Sequence, residues 1–358
     1  MNANWSLSNL TERINMSSVF VEQLMWVAVG LIGVVTFISL LALVLVYAER
    51  KICAHIQCRL GPMRVGWHGI LQTLADGIKL FLKEDIIPDE ADRLLYFLAP
   101  FFCLVATLLS LLVIPLSPQV QIIDVNIGVI YLGAVSGFGI LGVIMAGWGS
   151  NNKWSALGAM RAGAQMVSYE ISTTLSLLVI VLFVGSLQLS EIVLSQQEGW
   201  WIWRAHGVGV LAFILLLISS VAELNRTPFD LAEGESELTA GFHTEYSGVR
   251  FSFFFLAEFI NMFILAAMMS TFFLGGWMPF HIGQLTAFNA AMDLIPPAIW
   301  FIGKTSVMIF VFMWIRWTFP RLRVDQLMKL EWQVLMPLGF VNLFLAAIVV
   351  LTNFYFFA

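Results

Sequence analysis

A chain built from eight long apolar blocks separated by shorter polar segments has few ways to fold. The blocks fall at about 23–47, 94–116, 127–148, 165–187, 206–222, 251–275, 295–317 and 335–357, close to the roughly 20 residues a helix needs to cross a bilayer. In lipid every backbone N–H and C=O must find an internal partner, so the blocks are expected to be helices. Composition agrees, with 59% of residues hydrophobic and 11% charged, against about 25% charged in an ordinary soluble domain. The expected fold is an all-α integral membrane protein, one polytopic domain spanning residues 1–358. Pro296 and Pro297 suit the first turn of the seventh helix, where a missing N–H costs little. No internal repeat is evident, which argues against a transporter made of two related halves.

Lysine and arginine set the orientation. Fifteen of the 18 basic residues lie in the segments after blocks one, three, five and seven, counting Arg316. Arg13 and Arg204 lie on the other side, and Lys304 is inside the seventh block. Because cytoplasmic loops carry the excess of Lys and Arg, both termini are expected on the non-cytoplasmic side. The length and the full basic loops point to a bacterial inner (plasma) membrane. The start does not read as a signal peptide, since the first 22 residues are polar and the apolar run after them is too long.

The first cytoplasmic segment, 48–93, is long and not apolar enough to cross. From about Gly66 to Glu84, Gln72, Asp76, Lys79 and Lys83 recur at helical spacing, with Ile70, Leu71, Leu74, Ile78, Phe81 and Leu82 opposite. That pattern predicts an amphipathic helix on the cytoplasmic membrane surface, or one packed on a soluble partner.

The acidic loop, 223–250, is the most unusual polar stretch. It carries Glu223, Asp230, Glu233, Glu235, Glu237 and Glu245, with Arg226 the single cation before Tyr246. Crowded carboxylates repel, so some should keep their protons near neutral pH. The stretch reads either as a proton-handling cluster or as an ordinary solvated loop. Arg226 is placed to pair with Glu223 or Asp230. Glu170 and Glu258 interrupt apolar runs, and an ionisable residue there costs about 2.5–3.5 kcal/mol at a helix centre on insertion scales, which makes a functional role the expectation. Both lie near the cytoplasmic ends of their blocks, so a carboxylate reaching the interface is the alternative. Lys304 either pairs with an acid across the bundle or snorkels; the sequence does not choose.

Cofactor motifs are not legible. Cys53, Cys58 and Cys103 are too few for a four-thiolate iron–sulfur cluster, and the five histidines form no His-x-x-x-His pair. No metal, haem or flavin site is expected. Gly137 to Gly142 spells G-x-G-x-x-G, but inside an apolar block rather than between a strand and a helix, so it is not a nucleotide site. Gly133 and Gly137 are expected instead to permit close helix packing.

Several motifs occur in order: AERK at 48–51, QCRLGP at 57–62, LADGIKLFLKED at 74–85, GWGSNNKW at 147–154, MRAGAQMVSYEI at 160–171, AELNRTPFDLAEGESELTAGFHTEYSG at 222–248 and RWTFPRLRVDQLM at 316–328. In these residues the chain resembles the H-subunit family of proton-pumping NADH–quinone oxidoreductase, respiratory complex I, whose mitochondrial counterpart is NADH dehydrogenase subunit 1. Met63, Thr239 and Val324 depart from the family's usual residues, and none removes an ionisable group.

The resemblance implies a membrane component that anchors the peripheral arm and helps form a quinone chamber. On that picture Glu49, Arg50, Arg59, Asp76 and Arg226 line the chamber or its entrance. Glu170, Glu223, Asp230, Glu233, Glu235, Glu237, Glu245 and Glu258 form a proton relay towards antiporter-like subunits. The substrate would be ubiquinone or menaquinone. Electrons would come from flavin and iron–sulfur clusters on peripheral subunits, with no redox cofactor in this chain. Other complex I subunits and lipid are the expected partners, and nucleic acid is not. The alternatives are the homologous anchor of a membrane-bound hydrogenase, a stand-alone ion transporter and a purely structural anchor.

Overall fold

In a computed structural model of the chain, the described residues are 4–197, 199–231, 234, 238–281 and 286–352, and they contain no strand. The helices are α1 (Asn4–Ile56), α2 (Gln72–Leu82), α3 (Arg93–Val113), α4 (Gly128–Gly149), α5 (Lys153–Val184), α6 (Leu189–Leu194), α7 (Trp201–Arg204) and α8 (His206–Glu223). They continue with α9 (Gly248–Phe273), α10 (Thr286–Asp293), α11 (Pro297–Thr318), α12 (Val324–Leu330) and α13 (Met336–Thr352). Among the described residues, eight segments are long and apolar enough to cross a membrane: Val29–Ile56 within α1, then α3, α4, α5, α8, α9 and α11, and finally Val324–Thr352. The eight expected blocks are therefore eight helices. Pro296 caps α11 and Pro297 opens it, as anticipated.

Three helices start well before hydropathy suggests, α1 at Asn4 among them. Asn152 caps α5 by accepting from the Trp154 N–H, so the helix runs for 32 residues and Glu170 falls near its middle. The last span begins at Val324 and passes through a π-helical turn, Glu331–Leu335, before α13. Pro337, in the first turn of α13, has no N–H for the ladder, and its ring crowds the carbonyl four residues back, so the helix widens just upstream.

α9 and α5 are the axes of the bundle. Every residue of α9 from Met262 to Phe273 is buried, as in a helix surrounded on all sides. It packs on α3, α11, α1, α2 and α8, while α5 packs on α4, α8 and α13. α1 is one-sided: Ile38, Ala42, Leu45 and Val46 are buried, whereas Leu31, Ile32, Leu40 and Val44 are exposed. Glu49 continues that buried stripe one turn on, so its carboxylate enters the bundle.

The amphipathic helix forms, but it is shorter than 66–84. Gly66, His68 and Gly69 take positive φ angles of 74°, 51° and 81°, so the first part is a short 3₁₀ turn, Trp67–Gly69. α2 turns Thr73 and the partly buried Asp76 inward and leaves Leu74, Ile78, Phe81 and Leu82 exposed, as are Ile70 and Leu71 just before it. The apolar face points away from this chain.

Gly133 and Gly137 do not serve close packing among the described residues, for a Cβ at either would meet nothing within 4 Å. The close approaches lie elsewhere. A Cβ on Gly158 of α5 would come 2.8 Å from the Cα of Gly241, so this glycine lets the acidic loop lie against α5.

Candidate functional site

The described residues between 224 and 247 fold back onto the N-terminal ends of α5 and α9 and the C-terminal end of α8 and are fastened from several sides. Gln165 donates to the carbonyls of Ala222 and Phe229, at 2.8 and 2.9 Å. Ser155 donates to the Phe242 carbonyl. The Leu322 N–H reaches the Pro228 carbonyl at 2.9 Å. Tyr96 and Tyr246 stack with ring centroids 4.2 Å apart, and each hydroxyl donates to backbone of the other segment.

This fastening buries Arg226 to 3% exposure and sets its partners. Nη1 donates to Glu49 Oε2 at 3.0 Å, and Nε to Glu258 Oε1 at 2.8 Å. The guanidinium lies over the Phe259 ring, 4.6 Å from its centroid. Glu49 uses its other oxygen to accept from Arg316. The result is a line of alternating charge, Glu258–Arg226–Glu49–Arg316, drawn from α9, the loop, α1 and α11, buried at its centre and half-buried at its two ends. Burial alone would weaken the Arg226 proton, but the charges of Glu258 and Glu49 outweigh it and the net shift is upward.

The expected pairing of Arg226 with Glu223 or Asp230 is therefore wrong. The fork of the guanidinium reaches α1 and α9, which come from distant parts of the chain. Asp230 instead pairs with Arg321 at 2.7 Å. Burial pushes the Asp230 carboxyl up, and the opposing pull of Arg321 and Arg316 does not cancel it. Glu223 is buried, with Oε2 unpartnered among the described residues.

Behind this line lies a cavity of about 650 Å³ between α3, α4, α5, α9 and the loop. Glu170, Glu223, Glu258, Asn225, His243 and Arg316 line it. Glu170 accepts from Ser136 of α4 on its wall. Burial lowers the His243 proton affinity, with Glu258 pulling the other way. Glu258 thus belongs both to the charged line and to the cavity.

The other candidates sit apart. Arg50 and Asp76 form an ion pair between α1 and α2, supported by Gln72 and, at 3.9 Å, Lys79. Burial pushes the Asp76 carboxyl up, but the hydrogen bond and charge of Arg50 outweigh it and hold it below 3.8. Arg59 is exposed and reaches Gln57. Glu245 accepts from Asn152. Glu233, Glu235 and Glu237 lie outside the described residues. Among the described residues Lys304 pairs with no acid, and it does not snorkel: its ammonium donates to the carbonyls of Leu274, Gly276 and Met278, at 2.6, 3.1 and 2.6 Å, under the Trp200 ring.

A family model described as NADH dehydrogenase matches residues 29–347, nearly the whole described bundle. The chain belongs to the NADH dehydrogenase family. It is 51% identical over 339 residues to the NADH-quinone oxidoreductase H subunit of Bacteroides thetaiotaomicron, covering 95% of this chain and 94% of the relative. The H subunit from Bacillus cytotoxicus is 50% identical over 305 residues, 85% of this chain and 88% of the relative. Its counterpart in Geobacillus kaustophilus is 49% identical over 317 residues, 87% and 91%.

In this member of the NADH dehydrogenase family, sequence reasoning passed over Arg316, Ser136 and His243. Arg316 counted only as a topology charge, yet a signal was available. On α11 the buried residues Lys304, Thr305, Met308, Ile309, Phe312 and Met313 recur every three or four positions, and Arg316 is the next term. Ser136 and His243 had no comparable signal, because only the fold brings α4 and the loop to one cavity.

Proposed function

We propose that this chain is the membrane subunit of a proton-translocating NADH:quinone oxidoreductase that anchors the peripheral arm, helps form the quinone chamber and relays quinone reduction to proton translocation. Glu49, Arg50, Arg59, Asp76 and Arg226 belong to the chamber or its entrance. The relay runs through Glu170, Glu223, Asp230, Glu233, Glu235, Glu237, Glu245 and Glu258. The substrate is ubiquinone or menaquinone, with electrons delivered by peripheral subunits carrying flavin and iron–sulfur clusters. Small and antiporter-like membrane subunits receive the relay. The protein lies in the bacterial inner membrane with both termini on the non-cytoplasmic side.

One observation carries this reading furthest: Glu258 binds Arg226 in the charged line and also faces the cavity shared with Glu170 and Glu223. Reducing a quinone to quinol takes up two electrons and two protons. A unit charge change about 4 Å away is worth roughly 4 kcal/mol at an effective dielectric near 20. That is about three pKa units at about 1.36 kcal/mol each, enough to load or unload a carboxyl poised near neutrality. An event beside Arg226 can therefore alter proton occupancy in the cavity with no redox centre in between.

The test is co-purification through a tag on this chain, followed by NADH-driven quinone reduction and proton pumping. Activity accompanied by flavin and iron–sulfur subunits is expected, and hydrogen evolution without NADH activity would move the chain to the hydrogenase branch. The relay itself fails if Glu233→Gln with Glu235→Gln leaves both quinone reduction and pumping intact in assembled complex.

A further inference from the structure

Glu331 is an acid that neither the cavity nor the charged line uses. It opens the π-helical turn of the last membrane span and has no solvent exposure at all. Oε1 accepts a 2.5 Å hydrogen bond from the Ser172 hydroxyl of α5. Oε2 is buried and has no partner among the described residues.

Among the described residues the surroundings supply no counter-charge. From α5 the neighbouring ionisable side chain is Tyr169, whose hydroxyl is committed to the Leu327 carbonyl at 3.1 Å. Glu170, next along α5, is turned away to Ser136 of α4. α8, which packs on α13, carries ionisable side chains only at its ends, His206 and Glu223. Asp325 and Lys329 of α12 are exposed. A carboxylate sealed in apolar surroundings with one hydroxyl donor and no cation is strongly disfavoured, whereas a neutral acid needs only that one bond. A π-turn widens the helix locally, and such turns recur at functional sites.

We propose that Glu331 is a proton-binding site of the membrane bundle, distinct from the cavity, with the proton on Oε2 while Oε1 serves as the carbonyl oxygen held by Ser172. It lies on the side of α5 that carries Gln165, Tyr169, Ser172 and Ser176, all buried, whereas Glu170 faces the cavity. Ser176 extends this file by donating to the Ser172 carbonyl at 2.9 Å. The bundle thus holds protonatable acids on both sides of one helix. The inference concerns this chain alone and stands even if the relay reading falls.

Infrared spectra of the purified complex containing this chain, recorded in H₂O and D₂O near neutral pH, test it. Glu331→Gln should remove one isotope-sensitive carbonyl band of a protonated carboxylic acid. Ser172→Ala should keep that band but move it to higher frequency, because the carbonyl oxygen loses its donor. Loss of carboxylate bands in Glu331→Gln, with every protonated-acid band retained, would overturn the proposal. If Glu331→Gln does not assemble, Ser172→Ala decides: a spectrum in which no protonated-acid band moves overturns it.

Discussion

The strength of the charged line can be measured through Arg226. Its guanidinium makes two charge-assisted hydrogen bonds, to Glu49 at 3.0 Å and Glu258 at 2.8 Å. Bonds to charged groups contribute about 1.5–3 kcal/mol each. Removing one partner of a buried pair costs about 3–5 kcal/mol, because the charge left behind stays unpaired. Glu49 keeps Arg316 in that event, so Arg226→Gln should fall near the low end, at about 3 kcal/mol. Arg226→Lys keeps the charge but loses the fork, since one ammonium cannot replace Nε and Nη1 together; about half that loss is expected. A double-mutant cycle with Glu258→Gln, read from SDS-induced unfolding in mixed micelles, isolates one bond and should give a coupling of about 1.5–3 kcal/mol. Arg316, 27% exposed where Arg226 is 3%, should matter less in the same assay. A coupling below about 0.5 kcal/mol, or a larger loss at Arg316 than at Arg226, would refute the reasoning.

Three further outcomes follow from other groups in the structure. Asp76 is held below 3.8 in the folded chain, so its contribution is present above 3.8 and is lost as pH falls below it. Limited proteolysis between α1 and α2 should distinguish Asp76→Asn from the parent at neutral pH and not at acid pH. His243 is held below 6.5 by burial, so stability is full above 6.5 and declines as pH falls through it, when the unfolded chain takes up the proton more readily. Glu258 opposes that shift, and His243→Gln should flatten this part of the pH profile in SDS unfolding. Lys304→Met strips the donor from three carbonyls; at about 1–3 kcal/mol for each buried group left unsatisfied, it should lower unfolding free energy by about 3 kcal/mol while the KM for quinone stays unchanged.

Hydropathy made the eight helices legible because a bilayer imposes one length and one composition on anything that crosses it. It placed the start of α5 and of the last span too late, since Lys153 to Gln165 and Val324 to Leu330 are too polar to stand out, yet both stretches continue a helix. In the site, local pattern carried some distance: Glu49 and Arg316 extend buried stripes that periodicity can trace. Partners were not legible. Arg226 seemed tied to nearby acids because sequence distance was the only distance at hand, whereas its partners lie 177 and 32 positions away. Glu331 escaped for a related reason, since its neighbours Asp325 and Lys329 made the start of the last span look like solvated loop.

Glu258 offers the sharpest separation between electron transfer and proton handling. Changing it to Gln removes one partner of Arg226 but leaves the Glu49–Arg226 and Glu49–Arg316 pairs in place, so the rest of the line keeps its geometry. It also takes a titratable group out of the cavity wall while preserving side-chain size. Glu258→Asp keeps the charge on a shorter arm, and Glu49→Gln disturbs the line at a residue that is not itself on the cavity wall, although its partner Arg316 is. If the line passes its electrostatic signal through Glu258 rather than through Arg316, which also lines the cavity, Glu258→Gln should retain most NADH:quinone reduction and lose most of the coupled pumping, with Glu258→Asp recovering part of it. Glu49→Gln should depress both together. Vesicles that report quinone reduction and internal acidification side by side would read this split. Equal losses in Glu258→Gln and Glu49→Gln would mean that Glu258 only braces Arg226, and the cavity would then have to receive its signal by another route.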